Sequence, residues 1–167
     1  RLIGNIYGSA TSTGTTIYSL YNLNSPIRSF TMTNNLDSGN VVNGTTSYST
    51  YRMYSSITTQ NAVITGNKIK NNTICGTTAA ATSYGMFNGA GTFTCNFSNN
   101  EVSNNYLPST LAHSMYGMYN SATAPVMDFN NNLVTGNSSN GTGTLYGIYY
   151  TASAPLGSTV NINNNTV

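Results

Sequence analysis

The chain has no tryptophan, one histidine, two cysteines and four prolines among 167 residues. Only five Lys+Arg and three Asp+Glu carry formal charge, 5% of the chain, against about a quarter in an ordinary globular domain. Each shortage excludes something. A nucleic-acid footprint needs clustered cations that release counterions, and five scattered ones do not supply it. Three acids do not make a calcium-binding array. No apolar run reaches the roughly 18 residues of a membrane span. Strong helix formers such as Glu, Lys, Gln and Leu are scarce, and no stretch combines helical periodicity with caps. No signal peptide is recognisable, and the chain opens on Arg1 rather than Met, so it reads as a mature or excised piece. What fills the chain is 27 Asn, 26 Thr and 20 Ser, together 73 of 167 residues. Disorder goes with few aromatics and high net charge. Here aromatics are 11% and the net charge is +2, which favours an ordered chain.

The sequence repeats about every 32 residues. One marker is an aromatic tetrapeptide: Tyr18-Ser19-Leu20-Tyr21, Tyr51-Arg52-Met53-Tyr54, Tyr84-Gly85-Met86-Phe87, Tyr116-Gly117-Met118-Tyr119 and Tyr146-Gly147-Ile148-Tyr149. A second is an asparagine 16 to 19 residues after it: Asn35, Asn67, Asn100, Asn132 and Asn165. A third is another asparagine five residues later, at Asn40, Asn72, Asn105 and Asn137, with Asn5 in the same series. Repeats of this length are the signature of a solenoid or an array.

Three residues before each second marker stand Met32, Ile64, Phe97, Phe129 and Ile162; two residues earlier stand Phe30, Ala62, Cys95, Met127 and Val160. Two after it stand Asp37, Ile69, Val102, Val134 and Val167, with polar residues between. That period of two is the strand signal. Gly4, Gly39, Asn71, Asn104 and Gly136 precede the third marker. Gly and Asn tolerate left-handed backbone, so the strand is expected to bend there. A propeller blade needs a longer period. The expected fold is therefore all-β, a single parallel β-helix (β-solenoid) of about five coils of ~32 residues. The coils run roughly 6–40, 41–72, 73–105, 106–137 and 138–167. Recurrent Asn at each bend is expected to stack as ladders that bond from coil to coil and cap local backbone.

Tyr84 to Asn105, Tyr116 to Asn137 and Tyr146 to Val167 carry the pattern Tyr-Gly-Ile/Met-aromatic, spacer, apolar-x-x-Asn-x-Val-x-Gly/Asn-Asn. This resembles the right-handed parallel β-helix repeat of the pectate-lyase-like superfamily, and the resemblance implies the right hand. That fold hosts lyases, hydrolases, tailspikes and inert stalks, so it implies no single function. The Asn/Thr/Ser/Tyr-rich, charge-poor style also resembles very large secreted surface proteins of gliding and biofilm-forming Bacteroidota.

Enzymes of the resembled fold imply a test of the acids, because one carboxyl must donate a proton while another stays ionised. Asp37, Glu101 and Asp128 fall at different phases of the repeat. They are expected as dispersed, solvated acids, with Glu101 and Asp128 about 15 Å apart along an extended strand. His113 has no acid near it in repeat phase and reads as a surface or groove histidine. Arg52, at a position that is Gly in three other copies, reads as surface, as do Lys68 and Lys70. One His, two Cys and three scattered acids form no metal-ligand cluster, and no cofactor is implied. Cys75 and Cys95 admit two readings: a disulfide across one coil, which suits a secreted protein, or a buried thiol at Cys95.

Simple alternation sends one aromatic column of the tetrapeptides inward with Leu20, Met53, Met86, Met118 and Ile148, and the other outward. Tyr21, Tyr54, Phe87, Tyr119 and Tyr149 then form a stripe about 20 Å long, fit to bind glycan rings or pack on a neighbour. The alternative is a turn that sends both columns into the core. The functional expectation is a non-catalytic repeat segment of a secreted, cell-surface fibre or adhesin, with further repeats or copies stacked end to end and surface glycans as candidate partners. The competing reading is a carbohydrate-active enzyme fragment of the same fold, or a glycan-binding tailspike-like module.

Overall fold

A computed structural model describes residues 2, 3, 6, 7, 16–44, 49–76, 82–89, 91–151 and 153–167. Side chains are described for these except residues 2–7, 23–27, 43, 44, 57–59, 75, 76 and 92. Among the described residues every regular element is a strand, and every strand pairing is parallel. The protein is a parallel β-solenoid of about four turns, one fewer than the repeat count implies.

Each turn has one long face and two short ones. The long face begins as continuous strands, Ile17–Thr33 and Thr50–Thr65. Later it divides, into Thr82–Asn88 with Gly91–Ser98 and Ser114–Asn120 with Val126–Asp128, ending on Leu145–Tyr150 and Thr159–Asn161. The first short face stacks Leu2–Ile3, Leu36–Ser38, Lys68–Lys70, Glu101–Ser103 and Leu133–Thr135. The second stacks Ile6–Tyr7, Val41–Gly44, Thr73–Gly76, Tyr106–Leu107 and Ser138–Ser139.

The register places like over like. Phe30 pairs with Ala62, Ala62 with Cys95, Cys95 with Met127 and Met127 with Val160. Asp37 pairs with Ile69, Ile69 with Val102 and Val102 with Val134. Phe97 and Phe129 stack with centroids 5.1 Å apart. These columns fill the interior, with Met53, Ile64, Ile69, Met86, Phe97, Val102, Met118 and Phe129 all at 1% exposure or less. Burial of such columns is the main favourable term available to a chain this polar.

Both corners of the coil follow one rule. A residue of positive φ is followed by an inward asparagine. Gly39, Asn71, Asn104 and Gly136 have φ of 66°, 56°, 54° and 64° and precede Asn40, Asn72, Asn105 and Asn137. The same device at the other corner was not read from the sequence: Asn34, Gly66, Asn99, Asn131 and Asn164, with φ between 54° and 68°, precede Asn35, Asn67, Asn100, Asn132 and Asn165. A left-handed residue turns the chain sharply, and Gly and Asn reach that conformation at least cost.

The inward asparagines bond between coils. Asn67 Oδ1 accepts from the backbone N–H and the Nδ2 of Asn35, both at 3.0 Å. Asn100 Oδ1 does the same for Asn67 at 3.1 and 3.0 Å, Asn132 for Asn100 at 3.0 and 3.2 Å, and Asn165 for Asn132 at 2.9 and 3.0 Å. From Asn67 onward each Nδ2 also donates to a carbonyl, as Asn100 does to Ile64 O at 2.9 Å. The second row runs Asn40, Asn72, Asn105, Asn137 with the same double acceptance. Asn5 lies outside the described residues. From Asn67 and Asn72 onward the amide oxygens and nitrogens thus meet partners that a dry interior otherwise denies them.

Asn100→Leu removes the acceptor of two Asn67 bonds and the donor to Ile64 O. We expect a loss of on the order of 1–3 kcal/mol, the cost of stranding buried backbone groups, measured by urea unfolding. An unchanged midpoint contradicts it.

Candidate functional site

The aromatic tetrapeptide corrects the alternation rule. Tyr84 and Phe87 are half-buried on the outside, while Gly85 and Met86 between them are both buried. Tyr116-Gly117-Met118-Tyr119 repeats the pattern. The strand turns a corner here with two successive residues inward, so both aromatic columns face out and neither enters the core. Glycine suits this corner because a Cβ on Gly85 would stand 2.5 Å from Gly117 O and 2.6 Å from Val102 Cγ1. On Gly117 it would stand 2.5 Å from Val134 Cγ1. The stripe therefore holds ten rings, not five.

The rings form a herringbone. The first column, Tyr18, Tyr51, Tyr84, Tyr116 and Tyr146, stacks at 5.1, 4.6, 5.1 and 4.5 Å with planes within 12°. The second, Tyr21, Tyr54, Phe87, Tyr119 and Tyr149, stacks at 5.4, 4.9, 5.2 and 5.3 Å. Across the columns rings meet edge to face, as Tyr84 and Phe87 do at 84°. Aromatic quadrupoles favour both arrangements. The ring faces are consumed by one another, and what reaches solvent is mainly edges and hydroxyls. Sugar rings that stack on open aromatic faces find few here. Burial, then the neighbouring Tyr51 and Tyr116, push the Tyr84 phenol up to about 12. Burial also raises Tyr51, Tyr18 and Tyr116.

Three residues expected at the surface are inside. Asp37 is fully buried and Arg52 is 1% exposed. Arg52 Nη2 meets Asp37 Oδ1 at 2.6 Å and Asn72 Oδ1 at 3.2 Å, and Asn40 Nδ2 donates to the same Asp37 oxygen. The pair plugs into the second asparagine row. The physical reason is a double exchange. Arg52 stands where other coils have Gly, and Asp37 stands one coil away in the column of Ile69, Val102 and Val134. In later coils the glycine faces the valine of its own coil, as Gly85 faces Val102 and Gly117 faces Val134, so the two columns face each other and Arg52 reaches back to Asp37 of the coil before. Each was visible in the sequence; that their columns face was not.

His113 is also fully buried. Gly143 of the next coil passes so close that a Cβ there would stand 2.2 Å from His113 O. His113 Nε2 lies 2.8 Å from Ser83 Oγ, which accepts from Thr50 Oγ1 at 2.8 Å. With Thr50 donating, Ser83 donates to Nε2 of a neutral ring, and Nδ1 keeps the proton without a protein partner. Burial lowers the His113 pKa. A serine–histidine contact can activate a nucleophile, but Ser83 and His113 are both at 0% exposure, so no substrate reaches them in this structure.

The remaining acids lie on different faces. Glu101, on the first short face, accepts from Ser103 Oγ at 2.6 Å and pairs with Lys68 Nζ at 3.2 Å. The Ser103 hydrogen bond, then Lys68, hold its carboxyl below the usual range. Asp128, on the long face, accepts from Asn161 Nδ2 at 2.8 Å. Among the described residues no three His, Cys, Asp or Glu cluster to hold a metal. Cys95 is buried in the inward column, with Asn88 Nδ2 3.4 Å from its sulfur; the Cys75 side chain, and with it the disulfide reading, lies outside the described residues. The chain matches no protein-family profile, no curated protein and no solved structure.

Two measurements follow from this geometry. Asp37→Ala strands a buried guanidinium and is expected to cost ~3–5 kcal/mol. The double change Asp37→Val with Arg52→Gly removes both buried charges and gives each position the residue type its column carries in later coils, and it should recover most of the loss; a double variant as unstable as the single would refute the account of a buried charge pair. The second is pH dependence. The unfolded chain takes up a proton on His113 near the ordinary value of 6.5, which the folded chain resists. Stability is therefore level above that pH and declines as pH falls below it. At the alkaline end the unfolded chain loses its Tyr84 proton near 10, before the folded chain does at about 12, so stability declines again as pH rises through that window. Urea unfolding across pH should show both limbs, and His113→Gln should flatten the acid one.

Proposed function

We propose that the chain is a non-catalytic structural segment of a secreted, cell-surface fibre or adhesin, with further repeats or copies of itself as its stacking neighbours. The observation that carries this reading is where the reactive groups go. The Asp37–Arg52 pair, the Thr50–Ser83–His113 chain and both asparagine rows point inward and tie one coil to the next. Glu101 is held by Lys68 and Ser103, and Asp128 by Asn161. Chemistry of this kind strengthens a stack along its axis. The outer stripe of tyrosine edges is suited to lateral packing, since amphipathic Tyr is favoured at interfaces. The style shared with large secreted surface proteins of Bacteroidota points the same way, and their surface setting comes to this chain as part of the proposal.

The test pairs localisation with activity. Fractionation and electron microscopy of the source cells should recover the protein as surface filaments, and the purified chain should leave polysaccharides intact. Hydrolysis or β-elimination of a polysaccharide that disappears in Asp128→Asn overturns the reading and favours an enzyme of the same fold.

A further inference from the structure

Within one coil of the double row, one pair of rings stands closer than the rest. In the three middle coils the rings meet nearly edge on, at 83° for Tyr51–Tyr54, 84° for Tyr84–Phe87 and 87° for Tyr116–Tyr119, and in the last coil Tyr146 and Tyr149 tilt at 60° with centroids 5.2 Å apart. Tyr18 and Tyr21 stand with centroids 4.4 Å apart and planes at 55°. Two phenols joined by one bond between ortho carbons sit two ring radii and one bond length apart, with planes twisted but neither parallel nor perpendicular. Of the ring pairs among the described residues, Tyr18–Tyr21 is nearest to that geometry. The parallel pairs at similar distance, such as Tyr116–Tyr146 at 4.5 Å and 6°, are stacked face to face and need a large rotation. Tyr18 and Tyr21 are also the rings of the stripe that are exposed outright, at 38% and 48%, so an oxidant reaches them.

We propose that Tyr18 and Tyr21 are a site of oxidative phenol coupling, closed to an intramolecular dityrosine by a one-electron oxidant of the haem-peroxidase class acting with hydrogen peroxide. Each phenol gives up one electron and one proton and becomes a phenoxyl radical. The two unpaired electrons form a carbon–carbon bond between positions ortho to the hydroxyls. The two ortho hydrogens then move to the oxygens and restore both phenols. One peroxide takes up the two electrons and two protons and leaves as two waters, so the protein loses two hydrogen atoms in all.

The rest of the stripe assists. In the first column tyrosines follow one another at 4.5 to 5.1 Å from Tyr146 to Tyr18, so an electron hole made on any of them has a neighbour of the same chemistry beside it. Tyr51 and Tyr84 are only half exposed to solvent, whereas Tyr18 and Tyr21 are open to it, so the protons released on oxidation go directly to water at that pair. The hole therefore settles at the exposed pair. This site stands independently of the structural reading above: it requires only the ring geometry and an external oxidant.

The experiment treats the 167-residue chain, at low concentration, with a haem peroxidase and hydrogen peroxide, isolates the monomer and digests it with trypsin. Cleavage after Arg1 and Arg28 releases peptide 2–28, which holds Tyr7, Tyr18 and Tyr21. Expected is a loss of two hydrogens from that peptide, dityrosine fluorescence, fragmentation that assigns the bond to Tyr18 and Tyr21, and a several-fold lower yield in denaturing urea. Tyr21→Phe keeps the ring, as Phe87 does in the same column, and should abolish the product. Tyr149→Phe, in the other tilted pair, should leave it unchanged. No coupling in the native chain, coupling mapped to other pairs or only between molecules, equal yield in urea, or a product that survives in Tyr21→Phe would each overturn the proposal.

Discussion

In a stack of parallel coils every side chain has its own counterpart as nearest neighbour, about 4.8 Å above and below. A residue type is admissible only if it tolerates a copy of itself at that distance. Apolar side chains do, as the column from Phe30 through Cys95 to Val160 shows. Aromatic rings do, by offset stacking. A charge does not, because like charges directly opposite across strands repel. The 5% charge content is therefore a consequence of the architecture. Where charges occur they alternate or lie diagonally: Lys68 beneath Glu101 in one column, and Arg52 across from Asp37 one coil away.

The same constraint selects asparagine among polar residues for the interior. Its amide carries a donor and an acceptor together, so a row of identical side chains satisfies itself without limit, each Oδ1 taking two bonds from the coil before it. Carboxylates offer acceptors only and ammonium groups donors only. Hydroxyls repeat the logic on a smaller scale, from Thr50 to Ser83, until the line ends on the His113 ring. Positive-φ residues before each inward Asn supply the turn that aims it. Backbone conformation and side-chain bonding thus specify the same corner twice.

The outer face obeys the rule with a different result. Rings that stack on their own copies hide their faces from solvent, so a stripe rich in tyrosine presents edges and hydroxyls. That outcome suits packing and phenol chemistry better than face-on ligand stacking. It also separates two roles that composition alone merges: inside, polar groups bind coil to coil; outside, the aromatic groups are left for whatever lies beside the stack.

The sequence alone determined what repeats: the period, the inward columns through Cys95, Phe97 and Val102, and the asparagines at the bends. These were legible because stacking makes each coil an independent reading of the same instruction. The corner bearing Asn34, Gly66 and Asn99 is written in that same repeating form, in the residue before each second marker. The tertiary structure decided what does not repeat or does not follow a period of two. Gly85 and Met86 both turn inward because the chain bends between the two tyrosine columns, and alternation has no term for a corner. Asp37 and Arg52 meet because columns 15 residues apart in the chain face each other across the interior. His113 is covered because the next coil closes over it at Gly143. Each of these depends on the cross-section of the coil, a distance between faces that a one-dimensional repeat does not record.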